Sequence, residues 1–453
     1  MGERRPATAR SVALDVLQAV SASDAYANLL LPARLREAGL DDRDAGLATE
    51  LAYGTLRRQG LYDVIIELAA GRPVTAIDAT TLDILRLGVH QLIAMRIPAH
   101  AAVSATVDLV RKASARGFVN GVLRTVSRTG AEEWIGRAVA TAGSGEEALA
   151  IEHSHPLWVV RALRQALVNE GREAELEALL AADNVPPAVS LTALPGLATV
   201  EDLDARPGTV SPVGAVLRGG DPSALGAVRE GRARVQDEGS ALAALTLSRA
   251  RAVAPGERWL DLCAGPGGKA ALLAAEAALG GAHLVANELV PQRAGLVRQA
   301  LRVFDAAPDV VEVLEGDGLR FAAEPGAFDR ILLDAPCTGL GALRRRPEAR
   351  WRKQPSDVAG LGELQTQLLD AAIAALRPGG LIAYVTCSPH AGETRAIVRQ
   401  ALRRHPGLRA VETQPVVRSI APEPLDLAPA THVQLWPHRH GTDAMFIQLL
   451  TKD

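Results

Sequence analysis

From about Val235 onward, short apolar runs alternate with helical stretches, and no other feature of the chain limits its fold so tightly. The apolar runs are Trp259–Leu262, Leu284–Ala286, Val310–Leu314, Ile331–Leu333 and Leu381–Val385. Between them lie Lys269–Leu279, Arg293–Phe304 and Leu364–Leu376, which read as helices. Strands joined through helices lie parallel in one sheet with both faces covered, the doubly wound α/β class. In such sheets ligands bind outside the carboxyl ends of the strands, so chemistry is sought there. The ending HVQLWPHRHGTDAMFIQLL predicts a hairpin added at one sheet edge.

With 453 residues the chain is long enough for two or three domains. Ala7 to about Arg128 is helical in pattern, with stripes at Ala13, Val16, Leu17 and Val20 and at Leu82, Leu85, Val89, Leu92 and Ile93. Residues 1–135 therefore read as an all-α bundle. Residues 130–150, small and polar with Gly-Ser-Gly near their end, read as a linker. Residues 150–234 mix helices at Leu157–Val168 and Glu173–Ala182 with a strand at Ala188–Leu194, a small α/β module. Residues 235–453 form the doubly wound domain.

Lys+Arg is 49 against Asp+Glu 52, a net charge of -3, so a nucleic acid would have to be held by local basic clusters. Cys263, Cys337 and Cys387 are widely spaced and contain no CxxC pair. That disfavours a disulfide framework or a cysteine zinc site and suits a reducing cytosol. The first residues, MGERRPATARSVALDVLQAV, read as an amphipathic helix, since Asp15 and Gln18 interrupt the apolar core a signal peptide needs. No apolar run approaches the ~20 residues of a membrane span. The expectation is a cytoplasmic protein with no membrane partner.

The first strand of the α/β domain runs into Asp261-Leu262-Cys263-Ala264-Gly265-Pro266-Gly267-Gly268-Lys269. A Gly-rich turn between strand and helix lets a ligand approach the backbone. A phosphate-binding P-loop fails here, because Cys263 stands where the first Gly is required and Ala270 has no hydroxyl. A dinucleotide fingerprint would need an alanine variant, with Ala270 in its last position. Later residues decide. Glu288 ends the second strand, where an acid can hold both ribose hydroxyls; Asp317 follows the third and can accept from an adenine amine; Asp334 ends the fourth. One Gly-rich turn with acids at the next three strand ends fits S-adenosyl-L-methionine better than a dinucleotide.

Two thiols fall at strand ends on the same edge: Cys337 in Asp334-Ala335-Pro336-Cys337-Thr338-Gly339, and Cys387 in Thr386-Cys387-Ser388-Pro389. Carbon 5 of cytosine is a poor nucleophile until a thiolate adds at carbon 6 and places electron density on it. After methyl transfer the carbon-5 proton must leave and the thiol must be eliminated, which a second group can assist. Asp334 can hydrogen-bond the base edge. Residue types alone leave open which thiol attacks.

These residues resemble the nucleolar-protein/Sun family of RNA cytosine-5 methyltransferases, whose motifs are similar to CAGPGGK, DAPCTG, TCS and PHRHGTDAMF in this chain. The resemblance covers about Val235 onward. LRLGVHQL (Leu85–Leu92), MRIPAHAAV (Met95–Val103) and GFVNGVLR (Gly117–Arg124) resemble a NusB-like RNA-binding domain. The whole arrangement is similar to the small-subunit ribosomal RNA methyltransferase B branch of the family. It implies a Rossmann-like methyltransferase domain, S-adenosyl-L-methionine as cofactor and 16S ribosomal RNA as partner. It also implies that Cys387 attacks the base, that Cys337 helps release the product, and that residues 263–269, Glu288, Arg293, Asp317 and Asp334 form the cofactor site. One departure is Glu288, where Asp is the family's commoner choice.

Directly after the Cys337 loop comes LRRRPEARWRK. Arg344, Arg345, Arg346, Arg350, Trp351, Arg352 and Lys353 read as contacts to an RNA backbone and a stacked base. His432, His438 and His440 lack metal-ligand spacing, so no metal is expected and they read as structural or RNA-facing. Two rivals stand beside the main reading: a non-enzymatic RNA-binding factor, and a methyltransferase of exocyclic amines, whose Asn/Asp-Pro-Pro-aromatic stretch this chain lacks. The sequence leaves ribosomal and transfer RNA both open as substrates.

Overall fold

The structure is a computed structural model and describes residues 7–23 and 26–453. The chain forms two compact units. One comprises the described residues up to Arg161, with Leu180–Pro186 and Leu343–Arg352; the other comprises Ala162–Leu179, Pro187–Ala342 and Lys353–Asp453.

The first unit is helical. Thr8 caps helix Ala9–Ala22 by accepting from Ser11 N, and Val12, Ala13, Val16, Leu17 and Val20 are buried along one side. Helix Ala79–Ile93, capped by Asp78, adds Leu82, Leu85 and Val89 to the same core. Residues 130–150 correct the linker reading, because helices Ala131–Val139 and Gly145–Glu152 occupy them. Trp134 and Ala138, one turn apart, are buried, and the Trp134 indole donates to Val126 O at 2.9 Å. The Gly-Ser-Gly is a helix start: Ser144 accepts from Glu147 N.

In the second unit, β1 (Ser190–Ala193), β2 (Ala205–Pro207), β3 (Gly214–Leu217) and β4 (Ala233–Val235) form an antiparallel sheet in the order β2-β3-β1-β4. Leu191, Ala193, Leu203, Ala215 and Ala233 make its small core.

The main sheet carries the chemistry. It contains β5 (Arg258–Asp261), β6 (His283–Glu288), β7 (Val311–Glu315), β8 (Phe328–Asp334), β9 (Leu376–Thr386), β10 (Leu408–Val411), β11 (Val433–Gln434) and β12 (Phe446–Lys452). Its order is β10-β12-β9-β8-β5-β6-β7, with β11 paired to β12. Strands β5 to β9 are parallel, and β12 and β10 are antiparallel to their neighbours. Neighbouring residues of one strand point into opposite cores: Trp259, Leu332 and Ala383 into one, Leu260, Leu333 and Tyr384 into the other. Helix Gly268–Gly280 covers the first face and helix Pro355–Ala375 the second. The strand order reverses direction at β5, between β6 and β8, which is the switch point where such sheets hold ligands. The ending differs from a simple edge hairpin. β12 lies between β9 and β10, and the outermost strand is β10, too short and half-exposed to stand out as a strand in sequence. Among the described residues no helix is long and apolar enough to cross a membrane.

Candidate active site

The ends of β5, β6, β7, β8 and β9 share one edge of the sheet, because their parallel register pairs Asp261 with Ala286 and Leu332, Glu288 with Glu315, and Asp334 with Val385. Residues far apart in sequence therefore meet there.

The turn after β5 is built around absent side chains. A Cβ on Gly265 would lie 2.3 Å from Glu288 Oε2, and one on Gly267, whose φ is +104°, would lie 2.5 Å from Ala300 Cβ. Glu288 is buried, with Oε2 accepting from Gly265 N and Oε1 from Val290 N, both at 3.0 Å. Each oxygen keeps a further lone pair for a ligand hydroxyl. Arg293 locks the turn from its other side, donating to Gly265 O at 2.6 Å and lying 3.4 Å from Glu288. Both Asp261 oxygens are buried and unmet by any donor of good geometry. Burial and the nearby Asp334 push Asp261 up to about 8. Asp317 is exposed and caps the turn Gly318–Ala323 through Leu319 N at 3.0 Å. A glycine cradle, a ribose-ready carboxylate and an unmatched buried acid fit S-adenosyl-L-methionine, with its diol and its cationic methionine end.

On the adjoining strand ends Cys337 Sγ and Cys387 Sγ lie 3.5 Å apart. The hydrogen bond to Cys387, then burial and the Cys387, Glu393 and Asp334 charges, hold Cys337 well above the ordinary thiol range. Lys269 donates to Asp334 Oδ2 at 2.8 Å. Burial opposes its charge, but Asp334, Cys387 and Asp261 together raise its pKa, so it stays a cation. Burial and the surrounding carboxylates push the Cys263 thiol well above the ordinary range.

The basic run is corrected by the structure. Arg350 is fully buried in the helical unit, donating to Arg57 O at 2.9 Å, Ser154 O at 3.1 Å, Asn184 Oδ1 at 2.8 Å and Asp183 O at 2.8 Å. Arg344 is buried too, and Arg352 donates to Val20 O and Ser23 O. Trp351 packs on Gly60, where a Cβ would come within 2.4 Å of its ring. Arg346 is exposed, and Arg345 and Lys353 are half-buried. His438 pairs with Glu175 at 2.8 Å, and His440 accepts from Trp436 N at 2.9 Å, so both serve packing. Reading from the sequence also missed two polar groups. Asn287 donates to Leu262 O and Gly316 O, joining three strand ends, and Glu393 sits behind the thiols. Neither left a signal of its own: Asn287 stands beside Glu288 and Glu393 lies in a polar stretch.

Residues 250–451 match the 16S rRNA methyltransferase RsmB/F family, and residues 7–128 match the NusB family. A Pseudomonas putida protein named ribosomal RNA small subunit methyltransferase B is 35% identical over 424 residues, covering 89% of this chain and 91% of its own. The chain belongs to the RsmB/F methyltransferase family. S-adenosyl-L-methionine is accordingly its cofactor. A Mycobacterium tuberculosis relative, named as a methyltransferase with no substrate given, is 51% identical over 458 residues, with 99% of this chain and 98% of the other covered. The crystal structure of PH0851, 21% identical, shares the fold with a TM-score of 0.80 over 99% of this chain and 100% of its own.

The cofactor assignment makes a measurable prediction. Glu288→Gln keeps the shape of the side chain but removes its charge, and Asp317→Ala removes a carboxylate from the rim. Each is expected to weaken S-adenosyl-L-methionine by about tenfold or more in calorimetry, the scale of one charge-assisted hydrogen bond. Unaltered affinity in both variants would remove these acids from the site.

Proposed function

We propose that this RsmB/F protein methylates carbon 5 of cytosine in 16S ribosomal RNA through a covalent adduct to Cys387. The observation that carries the reading is the 3.5 Å pair of thiols beside the cofactor turn. Methylation of an exocyclic amine has no use for either thiol.

When bound, S-adenosyl-L-methionine supplies an electrophilic methyl group. Cys387, its sulfur 3.5 Å from that of Cys337, adds as thiolate to carbon 6 of a base that has left its stack. The C–S bond forms and the electron pair of the carbon 5–carbon 6 double bond moves to carbon 5. Asp334, held at 2.8 Å by Lys269, meets the base edge and steadies that charge. After carbon 5 has gained the methyl group, a base takes its proton, the C–H electron pair re-forms the double bond, and the C–S bond breaks with its pair returning to Cys387. Cys337, its sulfur 3.5 Å from that of Cys387, is placed to exchange a proton and assist elimination. Arg346, which is exposed, is the candidate contact to the RNA backbone.

Mapping 5-methylcytosine in total RNA from cells with and without the gene tests the reading. The expected result is loss of the mark from small-subunit ribosomal RNA alone. Loss from transfer RNA would replace the substrate, and an unchanged map would sink the proposal.

A further inference from the structure

Glu393 is fully buried, yet among the described residues no arginine or lysine forms an ion pair with it. A buried carboxylate is costly unless hydrogen bonds replace its water. Here neutral donors do so, and they come from the residues that directly follow the two thiols. Oε1 accepts from Thr338 N at 2.7 Å. Oε2 accepts from Thr338 Oγ1 at 2.5 Å and from Ser388 Oγ at 2.6 Å. The two hydroxyls also lie 3.1 Å from each other. The surrounding groups brace the carboxylate and its backbone. Tyr384 Oη donates to Glu393 O at 2.7 Å, and Gln365 Nε2 donates to Pro336 O, the residue before Cys337, at 2.8 Å.

One carboxylate thus grips both thiol-bearing loops, each one residue past its sulfur. We infer that Glu393 is a positioning residue that sets the spacing of Cys337 and Cys387 and so governs both attack on the base and release of the product. It touches neither sulfur. Parallel pairing of β8 and β9 brings the loops near each other but ends at Asp334 and Val385, and beyond it Gly341 N donates to Cys387 O at 2.8 Å. Glu393 adds the tie at the residues next to both sulfurs. A purely apolar residue could fill the same volume at lower cost, which is why the carboxylate signals a task beyond packing. Its charge is also among the influences that raise the Cys337 thiol.

The inference rests on the covalent mechanism proposed above. The experiment is steady-state methylation of in vitro transcribed small-subunit ribosomal RNA by full-length protein, with rates expressed per S-adenosyl-L-methionine site counted by calorimetry. Glu393→Ala is expected to lower kcat by about 100-fold, the scale of an ångström-sized misplacement, while KM for RNA and cofactor affinity stay within about twofold. Glu393→Gln keeps the shape, an acceptor for Thr338 N and an amide that can donate to a hydroxyl. It is expected to recover to within about tenfold of the wild-type rate. Should Glu393→Ala not fold, the double variant Thr338→Val/Ser388→Ala carries the test, with the same fall in kcat at unchanged KM. A rate per site within twofold of wild type in these variants would overturn the inference. So would a loss of rate that merely follows the loss of cofactor sites, the mark of an ordinary core residue. Wild-type protein that left the RNA unmethylated would instead sink the underlying mechanism, so the two failures are separable.

Discussion

Cys387→Ala is expected to reduce RNA methylation by roughly 10⁴-fold or more, the order of loss seen when a sole nucleophile is removed. RNA and S-adenosyl-L-methionine should still bind, because the cofactor turn and Glu288 lie on other strands. Cys337→Ala is expected to behave differently. Attack through Cys387 and methyl transfer can both proceed, but the partner that exchanges a proton during elimination is missing. Covalent protein–RNA complex should accumulate, visible as a slow-migrating band on a denaturing gel after incubation with RNA and cofactor. The 3.5 Å separation makes the contrast sharp, since each sulfur can reach whatever the other holds. A band from Cys387→Ala with none from Cys337→Ala would reverse the two roles. No band from either would leave Cys337 as a packed residue with no part in release.

The thiol pair was legible before the structure because two physical rules converge on it. Alternating strands and helices imply a parallel sheet, and a parallel sheet presents its strand ends together. DAPC and TCS, each closing a strand, then had to be neighbours. The same reasoning located Glu288, whose place at the end of β6 needs only the register of β5 and β6. What stayed hidden depends on partners that are remote in sequence. Glu393 lies in a polar stretch before helix Arg395–Arg404 and resembles a helix-start acid; only the fold reveals Thr338 and Ser388 waiting for it. Arg330 and Arg346 are equally basic in sequence, yet one is fully buried against Glu257 and the other is exposed. Residues 130–150 were misread for a related reason: small residues look like a linker until Trp134 finds its core.

Arg350→Ala is expected to destabilise the helical unit by about 3–5 kcal/mol, the cost of removing one partner from a buried charged cluster. The four acceptors it serves, on Arg57, Ser154, Asn184 and Asp183, would each lose this donor. Burial draws the guanidinium down to about 10, with Asp183 opposing that fall, so it remains charged at neutral pH and grips all four. Lysine cannot substitute, because a single ammonium does not reproduce a planar fork reaching separate carbonyls. For a unit of this size the midpoint of thermal unfolding should drop by roughly 6–20 °C. RNA affinity per folded molecule, and its salt dependence, should stay as in the wild type. Arg346→Glu provides the contrast: exposed beside the Tyr26 ring, it should leave the melting temperature in place and flatten the salt dependence of RNA binding. An Arg350→Ala protein that melts normally but has lost RNA affinity would return this arginine to the RNA interface suggested by its sequence. The distinction matters for the fold as well as for binding. The Leu343–Arg352 segment follows the Cys337 loop in the chain but packs with the helical unit.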